Sequence, residues 1–228
     1  NSTKEIKNID YNLGYTYFKQ KNYPKATEYF EKHLSKTSND KVRLNDAYLR
    51  LGDAYFVSSD YNNAIRAYQK AIAINEIEPD YAFFQKAISH GYIGQNEAKI
   101  KELNAFIETY KTSSLRDDAL YELGNSYVNS NEVDKAMQVY DRLIKEYKSS
   151  QYISKSILRQ GLVHYNSGNN DQALNKFKTV AKNYPGSPEA VQAVASARLI
   201  YIDLGRVNEY ATWVKSLDFV TVSNSDLD

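Results

Sequence analysis

The chain has 228 residues, and its 29 lysine and arginine residues against 28 aspartate and glutamate residues give a formal net charge of +1. This balance argues against a surface for nucleic acid, because phosphate binding needs a concentrated basic patch. The chain has no cysteine, which excludes disulfides, thiolate metal sites and cysteine nucleophiles, and no apolar stretch approaches the roughly 18 to 20 residues of a transmembrane segment.

An anchor position recurs along the chain at intervals of about 36 to 38 residues, which suits one helix pair of a repeat protein. The anchor is glycine in four copies, and alanine follows it twelve positions later in the same four. The anchors are Gly14, Gly52, Ile88, Gly124 and Gly161, with a weaker sixth near Arg198, and the residues twelve positions later are Ala26, Ala64, Ile100, Ala136 and Ala173. Because helices joined by a short turn approach closely only at small side chains, this pattern predicts antiparallel helix pairs.

Turn-forming residues fall between the two helices of the predicted pairs, at 20–22, 58–60, 94–96, 129–131 and 168–170. The predicted repeats occupy about residues 5–41, 42–78, 79–114, 115–150, 151–187 and 188–217, within one array over residues 1–218. Residues 219–228 are predicted to be a polar tail or the start of a further repeat. We expect the parent protein to continue beyond Asp228.

The third copy departs from the pattern, because its glycine, Gly91, lies three positions after the anchor Ile88. This shift indicates a displaced point of contact between the two helices. The alternative is a bend or a site where a ligand approaches, since glycine within a helix costs about 1 kcal/mol relative to alanine.

Three copies carry the full pattern: Leu13-Gly14-x-x-Tyr17 with Ala26-x-x-x-Phe30, Leu51-Gly52-x-x-Tyr55 with Ala64-x-x-x-Tyr68, and Leu123-Gly124-x-x-Tyr127 with Ala136-x-x-x-Tyr140. Over about residues 5–217, this pattern resembles the tetratricopeptide repeat (TPR) family. The resemblance implies an all-α fold, a right-handed α-α superhelix (TPR solenoid) of five to six helix-turn-helix repeats. It also implies that the protein binds a protein or peptide partner.

The predicted repeats are longer than the family's usual length of about 34 residues, and the connections at 106–113, 144–150 and 181–187 resemble those of a bacterial subclass. That subclass includes outer-membrane-assembly lipoproteins, Tol-Pal-associated periplasmic proteins and long repeat proteins of the Bacteroidetes. The resemblance implies a periplasmic or outer-membrane-associated location, while the sequence itself leaves a cytoplasmic location open. The chain starts at Asn1 rather than at methionine, which leaves open a membrane tether in a missing N-terminal segment.

In such arrays the first helix of each pair lines the inner face, and side chains there that packing does not need are candidates for contact with a peptide. Aromatic and arginine side chains suit this role because they supply a large contact area or planar hydrogen bonding. The candidates are Tyr11, Asn12, Tyr15, Arg50, Asp53, Lys86, Tyr121, Asn125 and Arg159. The family's two-carboxylate clamp does not assemble, since Tyr11, Tyr15 and Arg50 occupy positions where it uses lysine and asparagine.

No arrangement of residues supports catalysis. His33, His90 and His164 lie far apart and lack a metal-ligand spacing, and Asp117-Asp118 stands at a predicted helix start, where capping explains it. The sequence has no phosphate-binding glycine loop and no Gly-x-Ser-x-Gly elbow. We therefore predict a non-catalytic scaffold without a cofactor or a metal; the alternative is a glycan-binding helical module with inward aromatic side chains.

Overall fold

The computed structural model describes the backbone of residues 2–220 and the side chains of residues 8–220. Twelve α-helices fill this part of the chain, which contains no strand, so the predicted all-α fold class is confirmed. The helices are α1 (Ser2–Lys19), α2 (Tyr23–Leu34), α3 (Lys41–Val57), α4 (Tyr61–Ile74), α5 (Pro79–Tyr92), α6 (Asn96–Thr109), α7 (Arg116–Asn129), α8 (Val133–Glu146), α9 (Ile153–Asn166), α10 (Asn170–Asn183), α11 (Pro188–Asp203) and α12 (Val207–Val214). Residues 221–228, most of the segment predicted as a polar tail or a further repeat, lie outside the described residues.

The chain divides into two compact units, Asn1–Ala119 and Leu120–Asp228, called here the N-terminal and the C-terminal unit. In the N-terminal unit α1 packs on α2, α3 on α4 and α5 on α6. In the C-terminal unit α9 packs on α10 and α11 on α12. First helices of neighbouring pairs also pack on each other, as α1 does on α3 and α9 does on α11.

The four anchor glycines make room for an aromatic ring on the second helix of their pair. The four contacts are Gly14 with Phe30, Gly52 with Tyr68, Gly124 with Tyr140 and Gly161 with Phe177. A Cβ atom at any of these glycines would lie between 2.5 and 2.8 Å from the nearest ring atom. All four rings are fully buried, and so is the alanine twelve positions after each glycine. The predicted close approach is therefore present, with the ring as the direct neighbour of the glycine.

The third pair has Ala87 as its anchor, so the predicted anchor Ile88 and its predicted partner are each wrong by one residue. Ala87 is fully buried, as is Leu103 sixteen positions later, whereas Ile88 is half-buried. Twelve positions after Ala87 stands Lys99, and a Cβ atom at Gly91 would lie 2.8 Å from the Cδ atom of Lys99. Gly91 thus provides the space that the larger side chain of Lys99 needs, within a continuous helix α5.

One residue with a left-handed backbone stands seven positions after each anchor, in the turn between the two helices. These residues are Lys21, Ser59, Gly94, Asn131, Gly168 and Gly205, with φ between 59° and 75°. Side chains with a Cβ atom adopt this conformation at a cost, and glycine adopts it freely. Counting back from Gly205 places the sixth anchor at Arg198, which agrees with the weaker sixth copy in the sequence.

Candidate functional site

In the N-terminal unit, Arg50 on α3 lies among three carboxylates, a group called here the Arg50 cluster. Arg50 Nη1 lies 3.0 Å from Asp53 Oδ2, and Arg50 Nε lies 3.3 Å from Asp46 Oδ1. Glu78, directly before α5, places its Oε2 3.5 Å from Arg50 Nη2. The guanidinium of Arg50 is therefore occupied within the unit, and the cluster as a whole is acidic.

Asp53 lies at the centre of this cluster and joins three helices. The buried hydroxyl of Tyr68 on α4 donates to Asp53 Oδ1 at 2.9 Å, and that of Tyr81 on α5 donates to the same atom at 3.0 Å. Burial raises the pKa of Asp53 above its ordinary value, although these hydrogen bonds and Arg50 act in the opposite direction. Burial also raises the pKa of Tyr81 to about 12. The carboxylate of Asp53 is thus fully used in packing these helices together.

The three candidate residues on α1 differ in how accessible their side chains are to a ligand. The hydroxyl of Tyr11 donates to Asp46 Oδ2 at 2.6 Å, and its ring lies under the Arg43 guanidinium at 5.3 Å. The ring of Tyr15 stacks on Tyr11 at a centroid distance of 6.3 Å and is itself exposed. Asn12 is exposed as well. Tyr15 and Asn12 therefore remain accessible, while the hydroxyl of Tyr11 is engaged.

Lys86 lies inside the N-terminal unit. It occupies the position directly before the anchor, where Leu13, Leu51 and Leu123 stand in other pairs. Its side chain is buried, and its Nζ lies 2.7 Å from Gln69 Oε1 and 2.9 Å from Glu102 Oε1. The ammonium group of Lys86 is therefore held between α4 and α6, and Glu102 on α6 balances its charge.

A polar cavity of about 610 Å³ lies beside the connection from α2 to α3. Arg43 Nη1 in its wall bonds to Asp40 Oδ2 at 2.7 Å, and Lys36 pairs with buried Asp10. His33 is also part of the wall; its two ring nitrogens are buried without a hydrogen-bond partner, and burial lowers its pKa. The two basic side chains of the lining are thus each paired with a carboxylate, and burial favours the neutral form of the imidazole.

In the C-terminal unit, the candidates Tyr121 and Arg159 come together in one cleft, called here the α9 cleft. Its volume is about 230 Å³, and its lining residues are Tyr121, Lys155, Leu158, Arg159, Leu162, Pro188, Glu189 and Gln192. The ring of Tyr121 stacks on Tyr152 at 4.8 Å with an interplanar angle of 19°, which fixes the wall of the cleft. Asn125 is not part of the lining; its Oδ1 accepts a hydrogen bond of 2.8 Å from the hydroxyl of Tyr140.

The α9 cleft combines apolar and charged surface. The half-buried Leu162 and the buried Leu158 form the apolar part, and the exposed Arg159 lies one helical turn after the half-buried Lys155. Glu189 supplies one carboxylate, whose Oε2 lies 3.4 Å from the hydroxyl of Ser154. Sequence reasoning missed Lys155, although its spacing from Arg159 on one predicted helix could have indicated it.

Among side chains 8–220, no group of three or more histidine, aspartate and glutamate residues is placed to hold a metal ion. Within the same described residues, no helix has both the length and the apolar character to span a bilayer.

The helix pairs, their glycine-to-ring contacts and the first-helix surfaces define an α-helical repeat protein. Residues 5–76 match a sequence model described as tetratricopeptide repeat, and residues 118–150 and 155–187 match a second model with the same description. These matches together cover more than half of the chain. The chain belongs to the tetratricopeptide repeat family, whose members are generally non-catalytic scaffolds.

A TPR repeat-containing protein of Methanocaldococcus jannaschii is 32% identical over 96 residues, which are 42% of this chain and 16% of that protein. The chain thus corresponds to a small part of the length of this curated relative. A TPR protein from Parabacteroides merdae superposes with a TM-score of 0.71 at 14% identity, over 98% of this chain and 83% of that one.

Two other solved structures share the fold. MamA superposes with a TM-score of 0.64 at 23% identity, over 78% of this chain and 91% of that one. YrrB, described as a TPR protein with an unusual peptide-binding site, superposes with a TM-score of 0.62 at 17% identity, over 80% of this chain and 88% of that one. At these identities the likeness concerns the fold alone.

Proposed function

We propose that this protein is a non-catalytic scaffold that binds a protein or peptide partner, and that the α9 cleft is a contact site for that partner. The observation that carries the proposal is the exposed Arg159 and the half-buried Lys155, one helical turn apart, beside the half-buried Leu162. In the N-terminal unit, by contrast, the polar groups of Arg50, Asp53 and Lys86 are engaged by neighbouring side chains.

The lining of the cleft defines the chemistry of a suitable ligand. Two cations on one side favour a carboxylate, either an acidic side chain or a chain terminus. The half-buried Leu162 favours an adjacent apolar side chain, whose burial contributes about 25 cal/mol per Å². We therefore propose a peptide in which an acidic group and an aliphatic or aromatic group are neighbours. The peptide-binding description of YrrB supports a ligand of this general class for the fold.

We also propose that the protein works in a bacterial envelope, in the periplasm or at the outer membrane, as part of a longer repeat protein. The support is the resemblance of its inter-repeat connections to the envelope subclass, together with the short portion of the curated relative that the chain matches. A membrane tether upstream of Asn1 belongs to the same proposal. Fractionation of the native organism with an antibody against this chain tests the location, and a signal confined to the cytosol contradicts it.

Selection of displayed random peptides against the full chain tests the α9 cleft. We expect the enriched peptides to combine acidic and apolar residues, and Arg159→Glu to weaken their binding by about tenfold, or about 1.4 kcal/mol. Lys182→Glu is the matched control, because Lys182 is an exposed lysine near the end of α10 that does not line the cleft. Equal loss in both variants refutes the cleft.

The glycan alternative is separated from the peptide proposal by a thermal-shift screen with oligosaccharides. The scaffold proposal expects no oligosaccharide to raise the melting temperature. A stabilising oligosaccharide whose effect disappears in Tyr121→Ala, together with failure of the peptide selection, contradicts the scaffold and favours the glycan-binding module.

A further inference from the structure

The position nineteen residues after each anchor lies inside a helix pair, on the second helix. In the first five pairs this position holds His33, Ala71, Phe106, Leu143 and Val180. The last four residues are 0% exposed, and His33 is 3% exposed. The first pair therefore has an ionisable ring at a core position where each of the other four pairs has an apolar side chain.

The imidazole of His33 is buried without the hydrogen bonds that its two nitrogens require. Its ring lies 5.6 Å from the ring of Tyr11, and neither Nδ1 nor Nε2 has a hydrogen-bond partner within the described part of the chain. A neutral imidazole in this state leaves one N–H group and one lone pair unsatisfied, whereas an imidazolium leaves two N–H groups and a full charge unsatisfied. Because burying an unpaired charge costs much more free energy than burying an unpaired polar group, the folded pair favours the neutral ring.

The charged side chains around His33 do not offset this cost. They come from α1, from α2, from α3 and from the connection between α2 and α3, and they are Asp10, Lys32, Lys36, Asp40 and Arg43. Asp10 is paired with the two lysines, and Asp40 is paired with Arg43. Since three positive charges already accompany two negative ones, a proton on His33 adds a fourth positive charge. Burial is the main reason why the pKa of His33 lies below its ordinary value, and the arginine lowers this pKa further.

The connection beside His33 covers the core less completely than its counterpart in the third pair. There Tyr110 places its ring 5.3 Å from that of Phe106 and 5.7 Å from that of Phe83. At the equivalent position, twenty-three residues after the anchor, the first pair has the exposed Thr37. The polar cavity of about 610 Å³ lies at this place, with His33 in its wall. A small movement of the connection therefore brings water to the imidazole.

We propose that His33 makes the first helix pair acid-sensitive: protonation of its imidazole detaches the end of α2 and the connection 35–40 from the rest of the N-terminal unit, while the other pairs stay folded. Such local opening is possible in a repeat protein because each repeat contacts only its neighbours. Because His33 lies in the N-terminal unit, this acid-sensitive segment is separate from the α9 cleft.

The direction of the pH effect follows from the lowered pKa of His33. The stability that depends on the neutral ring is complete above the ordinary histidine pKa of about 6.5. It is lost as the pH falls below that value, towards the pKa of His33 in the folded state, because the open state binds the proton more readily. The first pair therefore opens more often as the pH falls from about 7 to about 5.

Hydrogen exchange of the full chain at pH 7 and pH 5, corrected for the intrinsic effect of pH on amide exchange, measures this opening. A histidine with the ordinary pKa is almost fully protonated at pH 5, so the opening equilibrium rises by at most about 25-fold between the two pH values. We expect the corrected exchange of peptides that cover residues 31–42 to rise at least about fivefold. Exchange of α7 and α8, which contain no histidine, should stay within about twofold.

His33→Leu gives the first pair the side chain that the fourth pair has as Leu143. We expect the exchange of residues 31–42 in this variant to be the same at pH 7 and pH 5 within about twofold. The matched control is His164→Leu, which retains the response of the parent chain. His164 is also a histidine whose pKa is lowered by burial, but it is half-buried and lies in the C-terminal unit.

The proposal is overturned if residues 31–42 of the parent chain exchange no faster at pH 5, or if His33→Leu responds to acid as the parent chain does. An NMR titration of the imidazole rings of the parent chain keeps the test decisive if His33→Leu does not fold. His90→Gln and His164→Gln assign the remaining signal to His33. We expect this signal to titrate below about pH 6.5, and a midpoint at or above that value also overturns the proposal.

Discussion

Replacing an anchor glycine with alanine tests the packing that defines each helix pair. In Gly124→Ala the new Cβ atom would lie 2.5 Å from Cε1 and 2.8 Å from Cδ1 of Tyr140. That ring is fully buried, and its hydroxyl is held by Asn125, so it has no free direction in which to move. In Gly91→Ala the nearest atom is Cδ of Lys99, in the flexible part of a long side chain.

The magnitudes follow from two opposing effects. Alanine is favoured over glycine within a helix by about 1 kcal/mol, and both sites receive this gain. Overpacking a fixed neighbour costs about 1 to 3 kcal/mol, and only Gly124→Ala incurs the full cost. We therefore expect Gly124→Ala to lower the free energy of unfolding by up to about 2 kcal/mol and Gly91→Ala to raise it by up to about 1 kcal/mol.

Urea unfolding followed by circular dichroism measures both variants against the parent chain. Because repeat arrays need not unfold in a single step, hydrogen exchange of peptides from α7 and α8, and separately from α5 and α6, locates each effect. If Gly124→Ala is as stable as Gly91→Ala, or more stable, the aromatic ring does not constrain the anchor and the packing argument is refuted.

Ser59 has a left-handed backbone with φ of 62°, so Ser59→Gly should raise the free energy of unfolding by about 1 kcal/mol in urea titrations; Ser58→Gly, at φ of −81°, should not. The hydrogen bond from Lys36 lowers the pKa of Asp10. The stability that Asp10 contributes is therefore fully present above the ordinary carboxyl pKa, and it is lost as the pH falls through the pKa of Asp10 in the folded state. Asp10→Asn should therefore reduce the loss of stability between about pH 4 and pH 2, measured by thermal unfolding. The pKa of Asp53 is shifted in the opposite direction, because burial raises it. Protonation of Asp53 therefore raises the free energy of unfolding as the pH falls through the pKa of Asp53 in the folded state. Asp53→Asn should remove that gain in stability.

The helix pairs could be predicted from sequence because their packing depends on residue size at fixed spacing. Glycine leaves room for a ring, and in four pairs of this chain the ring stands sixteen positions after the glycine. The anchor of the third pair is predicted wrongly, because Lys99 stands where the other pairs have alanine. Gly91 provides the space that the Lys99 side chain needs. The left-handed turn residue was the signal that could have corrected the register, since Gly94 lies seven positions after Ala87 and none of the turns lacks such a residue.

The accessible residues of the candidate site could be predicted less well, because accessibility depends on side chains from other helices. Asp53 and Arg159 each lie near an anchor on a first helix, and nothing in their own segments distinguishes them. The carboxylate of Asp53 accepts hydrogen bonds from tyrosines on α4 and α5, whereas Arg159 lines an open cleft. The predicted anchor Ile88 stands one residue too late, so Lys86 falls two positions before it, where other pairs have candidate residues, although its side chain is buried.

The α9 cleft would hold a partner through two kinds of force. Lys155 and Arg159 act through charge, and the attraction between exposed charges is screened within about 8 Å at physiological ionic strength. Leu162 acts through apolar area, whose burial does not weaken when salt is added. A peptide in the cleft should therefore bind more weakly as sodium chloride is raised, and the affinity that remains at high salt measures the apolar part of the contact.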